Sequence, residues 1–368
     1  MKYFGSNKID RILLINIIVL LGIGLAMLYS ASTVISYNNF GNTSYYFVHQ
    51  LLYGALIGSV CLFICSKIDY HWWQKIIPLA LFAALVLLIL VKVPGIGFSA
   101  NGATRWVHLG FVTFQPSELA KLAIILYTAG WISKQHMKLK DFYYGLFPAL
   151  VIIGLFALLI LWQPDLGTMM SMVLTSMVML FAAGVDFRYF AWFGGFGTIA
   201  LAILIKLEPY RASRITTFLN PSFDPQGIGY QINQALIAIG SGGLWGYGYG
   251  LSRQKHNYLP ESIGDSIFAV MAEELGMIRV SLILILFTIL AIRGLQIAMK
   301  APDIFGKILA VGIVSTITVQ VCINIAAITG IFPLTGIPLP FFSYGSTAMI
   351  VMLAEIGILL NISRQARA

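Results

Sequence analysis

Ten stretches of this chain are apolar almost without interruption, at approximately 11–31, 46–66, 74–92, 116–133, 145–162, 166–184, 189–206, 266–292, 304–329 and 341–362. A hydrocarbon core about 30 Å thick needs about 20 helical residues to cross it. Gln163, Pro164 and Asp165 alone separate the fifth stretch from the sixth, which predicts a tight hairpin turn. The pattern predicts an all-α polytopic membrane protein of about ten transmembrane helices, folded as a single domain over residues 1–368. A large extracytoplasmic loop, about 207–265, falls between the seventh and eighth helices. The first apolar run is full length and lacks a small-residue cleavage site, so it reads as a span rather than a signal peptide.

Composition agrees. The chain is 59% hydrophobic and only 10% charged, where a soluble domain carries about 25% charged residues. Cys61, Cys65 and Cys322 all fall inside apolar stretches, with no ligand-spaced His or Cys beside them. They read as packing residues rather than as a disulfide or metal site.

The charges give the orientation. An even number of spans puts both termini on one side, together with Lys2, Lys8, Arg11, Lys67, Lys75, Lys134, Arg188, Arg293, Lys300 and Arg364. The positive-inside rule makes that side cytoplasmic. Outer basic residues gather in two Gly-rich loops, 92–115 and 207–265, as Lys92, Arg105, Lys206, Arg211, Arg214, Arg253 and Lys255. Such clustering fits an anionic ligand, phosphate above all, which Arg and Lys hold by charge-assisted hydrogen bonds. Snorkelling anchors at the lipid headgroups are the plainer account.

The long outer loop exceeds the roughly 12–15 residues of an ordinary connection and lacks a disordered composition. Residues 228–239 read as a short amphipathic or re-entrant helix, followed by the glycine-rich run Gly240 to Gly250. Irregular backbone at membrane depth is tolerated only where protein or a wet cavity covers it. The run has neither the ending of a P-loop nor the setting of a dinucleotide fingerprint.

Ionisable groups in or beside the spans carry the candidate chemistry. Glu118 and Lys121, three apart, share a helix face and form either a self-contained ion pair or a cavity wall open to an anionic substrate. Gln115-Pro116 reads as a helix start, with Glu118 favourable to its dipole. Asp165 reads as a helix cap. Glu273 and Glu274 are too poorly spaced against Arg279 for an ideal pair, so at least one carboxylate needs a partner on another helix. Glu355 in the last span has the same requirement. Between Gln254 and Gly276 the chain concentrates Lys255, His256, Glu261, Asp265, Glu273 and Glu274 at the outer membrane boundary. Asp265 either caps the following helix or, partly desolvated, acts as a general base toward a hydroxyl.

Taken in order, several segments resemble the signatures of the FtsW/RodA family of cell-wall polymerases, the shape, elongation, division and sporulation proteins. They are Gly102 to Trp106, Gln115 to Glu118 with Lys121, Gln163 to Thr168, Phe218 to Pro221, Asp224 to Gly227, Gly229 to Gln231, Ala238 to Gly243, Leu259 to Glu261, Phe268 to Val270, Pro333 to Gly336, Leu339 to Phe341 and Ser343 to Gly345. Val93 to Gly97, Asn101-Gly102, Ser252 to Lys255 and Asn361 to Arg364 look more like the division branch, FtsW, than the elongation branch, RodA.

The resemblance implies a glycosyltransferase that polymerises lipid II at the outer face of the bacterial cytoplasmic membrane, for septal wall synthesis. It implies lipid II and an undecaprenyl-pyrophosphate-linked glycan as substrates, and a class B penicillin-binding protein with other divisome proteins as partners. No nucleic acid is expected. In the family the aspartate after the Leu-Pro-Glu segment is held essential, and here that position is Asp265. On this reading Asp265 is catalytic, and Arg105, Glu118, Lys121, Arg211, Arg214, Lys255 and Glu261 are substrate-binding candidates. No metal-ligand cluster is expected, although a divalent cation could bridge pyrophosphate to Asp265 or Glu261.

Two departures stand out. Ile263-Gly264 replaces the His-Thr or His-Asn usual before the aspartate, and Ser346 stands where the family commonly has a second glycine. A lipid II flippase, a non-catalytic division scaffold and an elongation-type polymerase are the alternative readings. A flippase would line a path across the bilayer within related halves, whereas the polar clusters here favour one side and no internal repeat is evident.

Overall fold

The structure is a computed structural model that describes residues 9–100, 103–109, 112–136, 139, 141–207, 209–220 and 227–366. Asn101, Gly102 and the segment 221–226, which carry parts of the family-like motifs, lie outside the described residues, as does the side chain of Arg211.

Every apolar stretch is helical. In chain order the helices are α1 (Arg11–Phe40), α2 (Tyr45–His49), α3 (Ile57–Lys67), α4 (Tyr70–Lys75), α5 (Ile77–Leu90), α6 (Pro116–Gln135), α7 (Phe147–Trp162), α8 (Leu166–Ala182), α9 (Phe187–Leu207), α10 (Pro209–Leu219), α11 (Ile228–Gly242), α12 (Ile267–Lys300), α13 (Ile304–Ile328) and α14 (Ser346–Gln365). A π-helical stretch, Gln50–Leu56, joins α2 to α3 in one continuous rod, and another, Phe142–Leu146, leads into α7. Among the described residues six rods are long and apolar enough to cross a membrane: α1, the α2–α3 rod, the rod ending in α7, α12, α13 and α14.

Side-chain oxygens start several helices. Asp10 accepts from Leu13 N–H, Asp165 from Thr168 N–H and Asp303 from Gly306 N–H, which satisfies orphan donors of the first turn. Asp165 is thus the expected cap. Pro116 sits in the first turn of α6 with Glu118 behind it. The centre of the bundle is α13 and α14, each burying 72% of its most apolar stretch, against 22–39% for the other four rods. Those four present their remaining apolar faces outward, as lipid-facing helices do. Cys322 is exposed on α13 rather than packed.

The loop before α6 corrects the all-α expectation. It forms an antiparallel three-stranded sheet, β1 (Gly97–Ala100), β2 (Ala103–Leu109) and β3 (Val112–Phe114), in the order β1-β2-β3. Phe98 faces Trp106 and Val107 faces Phe114 across the ladders. Strand pairing satisfies the backbone groups of a loop that returns toward the helices. Its strands are too short and too weakly alternating to announce themselves in the sequence.

The predicted re-entrant segment is α11, and the glycine run after it is spliced to a break in α12. Gly276 interrupts α12 at φ 75°, ψ 169°. Around the break Tyr247 and Gly248 donate to the carbonyls of Glu273 and Glu274, and Met277 and Ile278 donate to those of Gly243 and Leu244. A Cβ on Gly276 would lie 2.3 Å from Gly246 N, so only glycine allows this approach.

Candidate functional site

Asp265 ends the loop just before α12. It does not cap that helix: Ser266 holds the cap position and makes no capping bond with its side chain. The turn leading to Asp265 pivots on Glu261, whose backbone is left-handed at φ 52°. The Glu261 carbonyl accepts from Gly264 N–H at 2.9 Å and Ser266 N–H at 3.2 Å.

The loop after α13 clamps this turn. Tyr344 N–H donates to the Ile263 carbonyl at 2.8 Å, and the Ser343 hydroxyl donates to the Gly264 carbonyl at 2.6 Å. From α13 itself, the Asn324 amide donates to the carbonyls of Asp265 and Ile337, each at 2.8 Å. The main chain around Asp265 is therefore held from two further elements, which fixes where its carboxylate can point.

That carboxylate is half-buried. Oδ1 accepts from Gln231 Nε2 of α11 at 3.2 Å and from Ser266 Oγ at 3.3 Å. Gly336, left-handed at φ 72°, lies opposite Oδ2, and a Cβ there would stand 4.0 Å from that oxygen. Burial pushes the Asp265 pKa up to about 7, and the negative charge of Glu261 adds to the rise; Arg214 and the Ser266 hydroxyl pull against it. A carboxyl that titrates near neutral pH is matched to general-base work. A Cβ at Gly264 would stand 2.8 Å from Glu261 Oε2, the far end of an exposed side chain, so the second carboxylate lies close against the turn.

The structure thus gathers Asp265, Glu261 and Arg214 of α10. The Arg214 guanidinium also donates to the Leu334 carbonyl at 2.6 Å, which ties α10 to the loop after α13. Arg105, on β2, donates to the carbonyls of Gln163 and Pro164 in the α7–α8 turn. Gln163 in turn donates to the Leu88 carbonyl, and Asp165 accepts from Gln115.

Two lysines stand in buried pairs. Lys121 Nζ lies 2.7 Å from Glu118 Oε2, with both side chains almost wholly buried in the bundle. Lys255 Nζ lies 2.9 Å from Glu274 Oε1 and donates as well to Ser30 Oγ and the Gly250 carbonyl. Glu274 therefore finds its cation on the loop before α12, while the partner expected on another helix is Ser30 of α1, whose hydroxyl donates to Glu274 at 2.7 Å. Glu273 accepts from the Ser252 hydroxyl and from Arg253 and Gln254 N–H. Arg279 donates to the Trp245 carbonyl instead of a carboxylate.

Sequence reasoning did not single out Gln231, Asn324, Ser343 or Gly336 for roles of their own. Three of them sit inside the family-like segments, and Asn324 is a polar residue within an apolar span, itself a signal of interior duty. Among the described residues no three His, Cys, Asp or Glu side chains converge on a point that could hold a metal ion.

Comparison with known proteins agrees with this architecture. The chain is 45% identical, over 97% of its length and 98% of the relative's, to "Stage V sporulation protein E" of Bacillus subtilis (strain 168). It is 42% identical to "Probable peptidoglycan glycosyltransferase FtsW" of Geobacter sp. (strain M18), covering 97% of both chains. Among solved structures it resembles a chain of a peptidoglycan synthase complex described for the coordination of polymerization and crosslinking, with a TM-score of 0.77 and 26% identity over 97% of this chain and 98% of that one. It also resembles the rod shape determining protein RodA of Thermus thermophilus, with a TM-score of 0.68 and 25% identity over 98% of each chain. Residues 11–368 match the family described as cell cycle protein, FtsW/RodA/SpoVE, and the chain belongs to that family.

Proposed function

We propose that this chain is a peptidoglycan glycosyltransferase that polymerises lipid II at the outer face of the cytoplasmic membrane, with Asp265 as the general base. The observation that carries the proposal is the setting of Asp265: a half-buried carboxyl titrating near pH 7, on a turn held by the loop after α13 and by Asn324. In this reading Asp265 takes the proton of the attacking sugar hydroxyl on lipid II. The bond from the donor sugar to its undecaprenyl pyrophosphate breaks as the new glycosidic bond forms. Arg214 and Arg211 on α10, with Arg105 on β2, stabilise the departing pyrophosphate charge. Glu261 raises the basicity of Asp265. Lys121, Glu118 and Lys255 contribute from behind, by holding the helices and the outer loop that frame the site.

The same proposal takes the chain as one domain of ten spans with cytoplasmic termini and the outer loop between the seventh and eighth. The names of the FtsW relatives support both the reaction and a septal role. The likeness to a chain of a peptidoglycan synthase complex supports a partner that cross-links the new strands, a class B penicillin-binding protein. The gathering of Asp265, Glu261 and Arg214 on one side favours a one-sided enzyme over a flippase path. The test is lipid II polymerisation by the purified protein with its partner, wild type against Asp265→Ala. Loss of polymer from a folded variant is the expected result, and full activity would end the assignment.

A further inference from the structure

A small, largely apolar cavity with a few ionisable and polar walls lies between α6, α13, α14 and the loop segment Pro338–Phe341, with about 30 Å³ open to the centre of a water molecule. On that measure it has room for one or two waters. Its charged walls are Glu118, Lys121 and Glu355. Glu118 and Lys121 neutralise each other at 2.7 Å. Glu355 is 2% exposed, halfway along α14, and among the described residues its carboxyl group makes neither a hydrogen bond nor a short ion pair. Gln320 of α13, 9% exposed, also lines the cavity with an amide that has no hydrogen-bonding partner among the described residues. One buried carboxyl group and one neutral polar group thus face the same space without a hydrogen-bonding partner among the described residues.

An isolated ionised carboxylate does not persist in such surroundings without compensation. The missing charge is a single positive one, because Lys121 already balances Glu118. Net negative walls exclude an anion, and the ammonium of Lys121 beside the space disfavours a divalent ion. We propose that this cavity binds one small monovalent cation, a proton or a sodium ion, with Glu355 as its anionic wall and Gln320 as a neutral ligand.

The charged groups within electrostatic reach of Glu355 are Lys121 and Glu118, both from α6. From the other neighbours, α13 presents Thr316 and Gln320, and the loop after α13 presents Ser343. Cys65 of α3 lies against Gly357. Toward the two ends of α14, His49 meets Ser346 and Tyr70 N–H meets Asn361. The outer wall of the cavity includes Leu339 and Ser343, the residues whose bonds reach Gly264. Occupancy is therefore placed to stiffen the support of Asp265, yet the site stands whatever reaction Asp265 performs.

The unfolding midpoint of the purified full chain in detergent, followed by tryptophan fluorescence, tests the proposal. It is measured over a pH series, in sodium chloride against choline chloride at equal ionic strength, for wild type and Glu355→Gln. Mass action predicts a rise of about 2 °C for each tenfold increase in the cation above its dissociation constant. A wild-type midpoint that climbs with acid in either salt identifies a proton, and one that climbs with sodium identifies a sodium ion. Glu355→Gln abolishes the sodium dependence and reduces the acid dependence, leaving only the share carried by the raised Asp265 carboxyl. If Glu355→Gln does not fold, Glu355→Leu, which fills a similar volume without charge, takes its place. A wild-type midpoint indifferent to both cations, or a dependence unchanged in the variant, overturns the proposal.

Discussion

The Ser343 hydroxyl donates to the Gly264 carbonyl at 2.6 Å, and the same oxygen accepts from Leu339 N–H at 2.7 Å. One hydroxyl therefore locks the turn before Asp265 to a loop far away in sequence. In Ser343→Ala both backbone groups lose their partner, and each unsatisfied buried group costs about 1–3 kcal/mol. The expected outcome is a lower unfolding midpoint and a slower polymerisation rate. Ser343→Thr keeps the hydroxyl and should retain most of both. Wild-type rate and midpoint in the alanine variant would show that the lock is dispensable.

The rate of polymerisation should rise with pH through about 7. The Asp265 carboxyl is raised to that value first by burial and then by Glu261. Below it the group holds its proton and cannot accept another; above it the base is free. Glu261→Gln removes one raising influence, so the limb should move to lower pH. Arg214→Gln removes a lowering influence, so the limb should move to higher pH, with a loss of rate besides. A pH–rate profile of kcat/KM for the three proteins measures these shifts. Coincident limbs in wild type and Glu261→Gln would refute the coupling.

Much of this was legible in the chain because lipid imposes a simple code: long apolar runs, few charges, and basic residues biased to one side. Asp165 as a cap, Pro116 at the start of α6 and the Glu118–Lys121 pair all follow from local spacing, and each is present. Other features depend on partners remote in sequence. Glu274 and Ser30 are brought beside Lys255 only by the fold, and Asp265 reads equally well as a cap until Ser266 takes that position. Arg279 is too poorly spaced to pair ideally with Glu274, and only the fold shows where its guanidinium goes, to a carbonyl of the glycine run. The Gly276 break is hidden because a lone glycine in an apolar stretch looks like a tolerated helix residue. The sheet of the first outer loop is hidden because its strands are only three to seven residues long.

Gly276→Ala should be among the most damaging substitutions in the chain. Its Cβ would meet the backbone at Trp245, Gly246 and Leu244, none of which is a flexible side-chain end. The left-handed φ of 75° adds strain of its own for any L-residue. The expected result is a marked fall in the yield of folded protein, or an unfolding midpoint lowered by many degrees. The same exchange at Gly154, where a Cβ meets nothing within 4 Å, serves as the control. Equal behaviour of the two variants would mean that the splice between the glycine run and α12 is not rigid.

Lys255 allows a separation of structural from catalytic duty. Its ammonium is enclosed, with Glu274, Ser30 and Gly250 around it, while Glu274 also accepts from Ser252 N–H. Removing the cation alone leaves an uncompensated buried carboxylate, a change that costs about 3–5 kcal/mol when one partner of a buried pair is lost. Lys255→Met should therefore lower the unfolding midpoint sharply and carry activity down with it. Replacing both partners by apolar residues of similar size is often neutral, so Lys255→Met with Glu274→Leu should recover much of the stability. If polymerisation returns with the fold in the double variant, Lys255 acts by holding the outer loop against α1 and α12. If the double variant is stable but makes no polymer, the lysine charge itself serves the substrate, and the buried pair is then only the resting position of a mobile group.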